Sequence, residues 1–260
     1  MLSTSASYRL LTRDLDSTLA RTAASQPVKL ESAYYLEHIG DVQSIDDFIK
    51  DTRLFNYAMS AFGLEDMAYA KALMRKVLTE GVSSPTSFGN RLSDDRFVRF
   101  ATTFNFAENG ADATRSTDAQ QGVVDRYVRQ TMEVSAGEDN EAVRLALYFA
   151  REAPNATSAY DLLADEALWQ VVKTVFGFPD TMANADIERQ AKAITDRLDL
   201  ADLQDPDALD RLIERFAAVW DATESTASDP VLQLFNTSGQ STSIDIDLVM
   251  TLKSLKYGGA

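Results

Sequence analysis

The chain has 260 residues, and its 40 acidic residues against 25 basic ones give a net charge of −15. Hydrophobic residues make up 45% of the chain, a share typical of a folded globular protein that excludes an acidic disordered chain. Because cysteine is absent, disulfides, thiolate metal sites and cysteine nucleophiles are excluded, and the negative charge disfavours nucleic-acid binding.

The first predicted element is an amphipathic helix close to the N-terminus. Its apolar stripe consists of Tyr8, Leu11, Leu15 and Leu19, with charged residues elsewhere around the helix. This segment lacks the unbroken apolar run of a Sec signal peptide. Later in the chain no window approaches about 18 consecutive apolar residues, so we expect no membrane span.

Two stretches of the chain match each other at a constant offset of 114 positions. The first begins at Ser44 with SIDDFIKDTRLFNYAMSAFGL, and the second begins at Ser158 with SAYDLLADEALWQVVKTVFGF. Their further identical pairs are Asp47 and Asp161, Asp51 and Asp165, Leu54 and Leu168, Phe62 and Phe176, and Gly63 and Gly177. We therefore predict a tandem duplication of a multi-helix module. Residues 1–110 contain a helical lead-in and the first copy, residues 111–225 a second lead-in and copy, and residues 226–260 a linker with an amphipathic segment.

Helix start and stop signals recur at matching places in both copies. Asp51 and Asp165 are predicted N-caps, because each precedes an apolar run with helical spacing. Gly63 and Gly177 follow these runs and suit the left-handed position just beyond a helix. Capping-box spacing is found in two pairs, Ser44 with Asp47 and Ser158 with Asp161. Sustained alternation is scarce, so the predicted fold class is all-α.

The last predicted element is a short amphipathic segment at the C-terminus. It follows the polar stretch 236–243, which has the Ser, Thr and Gly content of a linker. Four apolar residues lie on one side of this segment: Ile244, Leu248, Leu252 and Leu255. The chain is thus predicted to carry amphipathic helical segments at both termini.

The sequence contains few candidates for catalysis. His38 is the single histidine, and its place in the last turn of a predicted helix favours a structural role beside the helix dipole. Paired carboxylates remain available for hydrolysis, but the acidic residues common to both copies are explained as helix caps. Phosphate-binding glycine motifs and calcium loops are absent. We therefore predict no catalytic, cofactor-binding or metal-binding residues.

Three runs in the first copy resemble a known family. They are the run from Tyr34 to Phe48, the run from Asp51 to Met67, and Tyr69-Ala70-Lys71-Ala72. These runs resemble an alphaproteobacterial helical domain family of unknown function, whose members often carry the domain in tandem and whose genes tend to lie among flagellar genes. The resemblance implies a non-enzymatic role in flagellar assembly or function. We expect the protein in the cytoplasm or in association with the flagellum.

The leading hypothesis is a structural or assembly protein that binds flagellar proteins and no nucleic acid. The predicted partner contacts are Leu11, Leu15, Leu19, Leu248, Leu252 and Leu255, although the same stripes would equally suit docking on the protein's own core. The alternative is a cytoplasmic export chaperone or regulator of flagellar subunits, a role that the negative net charge of the protein suits. A hydrolase that uses paired carboxylates is the third hypothesis.

Overall fold

Every regular element in the computed structural model, which describes residues 2–92 and 94–227, is a helix, and no strand occurs in those ranges. The all-α prediction is confirmed. Short 3-10 turns join several of the α-helices. The α-helices are α1 (Thr4–Thr12), α2 (Leu15–Ala24), α3 (Gln26–His38), α4 (Ile45–Lys50), α5 (Thr52–Ala61), α6 (Lys71–Glu80), α7 (Arg96–Thr103), α8 (Phe106–Asn109), α9 (Gln121–Asp139), α10 (Glu141–Glu152), α11 (Ala159–Ala164), α12 (Glu166–Phe176), α13 (Ile187–Thr195) and α14 (Pro206–Ala227). Residues 1–220 form one unit and residues 221–260 a second, of which the structure describes 221–227.

The N-terminal segment forms two helices, so the prediction of a single helical stripe is wrong. α1 ends at Thr12 and α2 begins at Leu15. Asp14 lies between them, and its Oδ1 accepts the backbone N–H of Ser17 at 3.1 Å. This side-chain cap satisfies an otherwise unpaired N–H in the first turn of α2, which stabilises a break that the apolar spacing does not reveal.

The predicted N-caps are all present in the structure. In each one a side-chain oxygen accepts the backbone N–H three residues later. The pairs and distances are Ser44 with Asp47 (3.1 Å), Asp51 with Leu54 (3.0 Å), Ser158 with Asp161 (3.3 Å), and Asp165 with Leu168 (3.0 Å). The N-caps predicted from sequence are therefore confirmed, and they set where α4, α5, α11 and α12 begin. The reciprocal bond of a capping box forms at Ser158, whereas the Ser44 hydroxyl donates to Asp47 Oδ2 instead.

The two predicted glycine stops are also confirmed. Gly63 has a φ of +67° and Gly177 a φ of +63°, a region that other residues adopt only with strain. Each follows a helix, and the next residue donates its N–H back into the last turn in the pattern of a Schellman motif. The bonds run from Leu64 to the carbonyl of Met59 (2.8 Å) and from Phe178 to that of Lys173 (2.9 Å).

Two groups of buried side chains form the core of residues 1–220. The first is rich in aromatic rings and includes Tyr35, Phe48, Phe55, Phe100 and Phe104. The second is more aliphatic and includes Phe149, Leu162, Val172, Ile194 and Phe216. α9 contributes to both, with Val123 and Val128 in the first group and Met132 in the second. α9 is therefore shared by both cores.

Candidate functional site

The predicted partner residues of the N-terminal segment lie against the protein itself. Leu11, Leu15 and Leu19 are partly buried and pack on the second core, and Leu19 also packs on the first. Their apolar stripe thus stabilises the fold, and their role in partner binding stays a prediction. The three predicted partner residues of the C-terminal segment, Leu248, Leu252 and Leu255, lie outside the described residues.

Two other leucines of the N-terminal segment face outward. Leu10 is 65% exposed and Leu2 is 63% exposed. Sequence reasoning missed Leu10, although the signal was present: on a helix the adjacent Leu10 and Leu11 point in different directions, so only one of them can face the core. These two side chains are the most exposed leucines in the described part of the chain.

Leu10 and Leu2 border a groove of about 470 Å³. α1 and α2 form one side of this groove, and the C-terminal end of α9 with the start of α10 forms the other. Its apolar lining consists of Leu2, Leu10, Leu11, Met132, Ala136 and Val143. A concave apolar surface of this kind is suited to bind the side chains of an amphipathic helix.

Hydrogen bonds and an ion pair fix α1 over the second core. Thr4 is fully buried, and its Oγ1 accepts a hydrogen bond from Asn140 Nδ2 at 3.0 Å. Asn140 also caps α10, because its Oδ1 accepts the backbone N–H of Ala142 at 2.9 Å. Arg9 forms an ion pair with Glu214 of α14. The groove is therefore preformed, with α1 held at both its start and its middle.

A second concavity is a charged cleft of about 750 Å³ lined by residues from α7, α9, α10 and α12. An ion-pair network connects its lining residue Glu152, through Arg151, to Glu133 of α9, which is almost fully buried. Arg151 donates to both oxygens of this carboxylate, from Nε at 2.9 Å and from Nη2 at 2.8 Å, and Arg129 Nε donates at 2.7 Å. Burial acts against the charge of Arg151, but its bonds with Glu133 and the nearby Glu152 raise its pKa above the ordinary value.

The same network continues from α10 to α7. Glu152 is also buried, and it accepts bonds from Arg151 and from Arg99 Nη1, the latter at 2.6 Å. Arg99 Nη2 reaches Asp95 at 3.3 Å, while Arg99 Nε is buried and has no partner among the described residues. Burial raises the pKa of Asp95, and the positive charge of Arg99 opposes that rise. The network therefore joins α7, α9 and α10 through long-range ion pairs.

Tyr148 and Asp165 also line the charged cleft. The Tyr148 hydroxyl donates to Asp165 Oδ2 at 2.6 Å, and burial raises the pKa of this tyrosine well above its ordinary value. Asp165 is at the same time the N-cap of α12. Glu133, Glu152 and Asp165 are thus each bound by arginine, tyrosine or backbone donors, an arrangement suited to holding helices together.

His38 occupies the helix end that the sequence predicted. It is the last residue of α3, its Nδ1 donates to the carbonyl oxygen of Tyr34 at 2.8 Å, and its ring stacks on the Tyr34 ring at 4.1 Å. Among the described residues, no group of three or more histidine or acidic side chains is arranged to hold a metal ion. The helices in the same ranges are too short or too polar to cross a membrane.

Comparisons with known proteins give a family and a structural neighbour. A family model described as "Protein of unknown function (DUF1217)" matches residues 61–209. The X-ray crystal structure of protein AGR_C_984 from Agrobacterium tumefaciens is 48% identical in sequence, with a TM-score of 0.78. The similarity covers 85% of this chain and 96% of that one. No curated protein matches the chain. The chain belongs to the DUF1217 family.

Proposed function

We propose that this protein is a non-enzymatic structural or assembly component associated with the bacterial flagellum, and that it acts through protein–protein contacts. The single observation that carries the proposal is the exposure of Leu10 beside a preformed apolar groove. Completing the burial of one such side chain stabilises an interface by roughly 1–2 kcal/mol. The flagellar association is supported by the resemblance of residues 34–72 to a family encoded among flagellar genes.

We propose further that the chain contains two copies of one module, in residues 1–110 and 111–225. The support is that α4 and α11 begin and end at positions 114 residues apart, as do the 3-10 turns before them. Tyr34 donates to Asp51 at 3.0 Å as Tyr148 donates to Asp165 at 2.6 Å. In this proposal the N-terminal helices and the C-terminal segment extend the two modules and contact partners.

Affinity capture from motile cells tests the proposed function. The baits are the full chain, Leu10→Asp, and Leu30→Asp, a matched control because Leu30 is 54% exposed on α3 and does not line the groove. We expect the full chain and Leu30→Asp to retain rod, hook or export components. Leu10→Asp should lose them while keeping its helical circular dichroism. Equal recovery by all three baits, or recovery of no flagellar component, would contradict the proposal.

A cytoplasmic export chaperone or regulator of flagellar subunits is the second candidate, favoured by the net charge of −15. The high charge suits a protein that keeps subunits dispersed before export. Cell fractionation separates the two candidates. A chaperone stays in the cytoplasm with unassembled subunits, whereas a structural component is recovered with purified basal bodies or hooks.

A further inference from the structure

The charge of the N-terminal segment differs from that of the whole protein. Residues 2–25 contain three arginines and two aspartates, whereas the full chain carries a net charge of −15. Arg9 is paired with Glu214, but Arg13 and Arg21 are exposed and form no ion pair within the described ranges. Two guanidinium groups are therefore available at this surface.

Both free arginines lie beside the exposed leucines. Arg21 lines the groove from α2, where its Nη2 donates to Thr18 Oγ1 at 3.1 Å. Arg13 follows α1 three residues after Leu10, which places it about one helical turn away. The α1–α2 side of the groove thus combines an apolar surface with unpaired positive charge.

Three aspartates lie in or near the groove, and they occupy both of its sides. Asp14 is engaged as the N-cap of α2, and Asp16 is exposed in the first turn of that helix. Asp139 lines the groove from the opposite side, at the end of α9. The charged side chains that line the groove are thus Arg21 on the α2 side and Asp139 on the α9 side, so a bound helix would be oriented by its charges.

We infer that the groove binds an amphipathic helix of a partner protein whose carboxylates face Arg13 and Arg21. The apolar stripe of that helix contacts Leu2, Leu10 and Met132, in the helix-in-groove mode of recognition. This inference rests on the proposed function and specifies the chemistry of the partner. A neutral or basic helix would leave both guanidinium groups without a counter-charge.

Two fluorescein-labelled synthetic helices of about five turns provide the test. Both carry a leucine stripe with spacings of three and four residues, and their polar faces consist of glutamate in one peptide and lysine in the other. Fluorescence anisotropy measures their binding to the full chain. We expect the glutamate peptide to bind at least tenfold more tightly, and its affinity to fall as salt is raised to 0.15 M.

Charge reversal locates the effect. Arg21→Glu should weaken binding of the glutamate peptide severalfold, whereas Arg189→Glu should leave it unchanged, because Arg189 is 80% exposed on α13 and does not line the groove. In the double variant Arg13→Glu/Arg21→Glu the preference should invert toward the lysine peptide. Asp139→Asn should leave the glutamate peptide bound as tightly or more tightly.

The outcomes separate the inference from the proposed function. Equal binding of both peptides, abolished by Leu10→Asp, would overturn the inference and leave the groove as a contact surface. Absence of binding by the glutamate peptide would overturn the inference, while capture of flagellar components sensitive to Leu10→Asp would still support the function. Concentration-dependent dimerisation abolished by Leu10→Asp would show that a second copy occupies the groove and would overturn the inference.

Discussion

Two arginine–carboxylate pairs in this protein have the same bidentate geometry and differ in burial. Arg151 holds Glu133 at 2.9 and 2.8 Å, and Arg53 holds Glu31 at 2.9 and 3.0 Å. The Glu133 side chain is 1% exposed, whereas Glu31 is 37% exposed. Replacing each glutamate by glutamine removes one charge and little volume, so the two variants compare a buried carboxylate, which Arg129 also contacts, with an exposed one.

The expected losses in the free energy of unfolding differ several-fold. Glu133→Gln leaves Arg151 and Arg129 facing a neutral group in a buried site, and breaking a buried pair in this way costs about 3–5 kcal/mol. Because Glu152 still compensates Arg151, we expect the lower end, about 3 kcal/mol. Glu31→Gln breaks an exposed pair and should cost about 0.2–1 kcal/mol.

Urea unfolding followed by far-UV circular dichroism measures both losses under identical conditions. A loss for Glu133→Gln within 1 kcal/mol of that for Glu31→Gln would refute the reasoning, because burial would then add nothing to the pair. The comparison also reports on the charged cleft. A large loss means that the network joining α7, α9 and α10 is required for the stability of the fold.

Three further changes test local features. Gly177→Ala should lower the free energy of unfolding in urea by about 1 kcal/mol, because alanine would adopt a φ of +63° with strain. The new Cβ has no atom within 4 Å, so no contact offsets that strain. Unchanged stability would contradict the left-handed conformation at the end of α12. Burial opposes the ionisation of Asp161, but bonds from Thr157 and Ser158 lower its pKa. Ionised Asp161 therefore stabilises the fold above the unfolded pKa of about 3.9, and this stabilisation is lost as pH falls through the folded pKa. Asp161→Asn should make the free energy of unfolding less dependent on pH in this acid range. An unchanged pH dependence would contradict the assignment. Burial raises the pKa of Tyr8 to about 12, so stability should fall as pH rises from about 10 to 12, and Tyr8→Phe should reduce that slope.

Local features of the fold were predictable because they depend on neighbouring residues. Asp51 and Asp165 cap helices through bonds to residues three positions away, and Gly177 ends a helix within its own turn. Such short-range bonds are encoded directly in the order of residues. The division between α1 and α2 at Asp14 was missed because apolar spacing was given more weight than the capping residue. The apolar spacing continues across it, and only the capping bond to Ser17 shows that a new helix begins.

The candidate sites were less predictable because they depend on residues far apart in sequence. Arg99 and Glu152 meet across 53 positions, and nothing near either residue indicates the other. The groove likewise requires α1 to pack on α10 and α2 to pack on α9, and the buried contact between Thr4 and Asn140 secures the position of α1. Only the adjacent leucines Leu10 and Leu11 pointed to an exposed apolar side chain in advance.

The central claim is that the protein serves flagellar assembly through its N-terminal groove. Deletion of the gene in a motile strain, followed by complementation, tests it most directly. We predict that the wild-type chain and Leu30→Asp restore swimming and filament number by electron microscopy, and that Leu10→Asp does not, although it accumulates to the same level. Normal swimming and filament number in the deletion strain, or full complementation by Leu10→Asp, would contradict the claim.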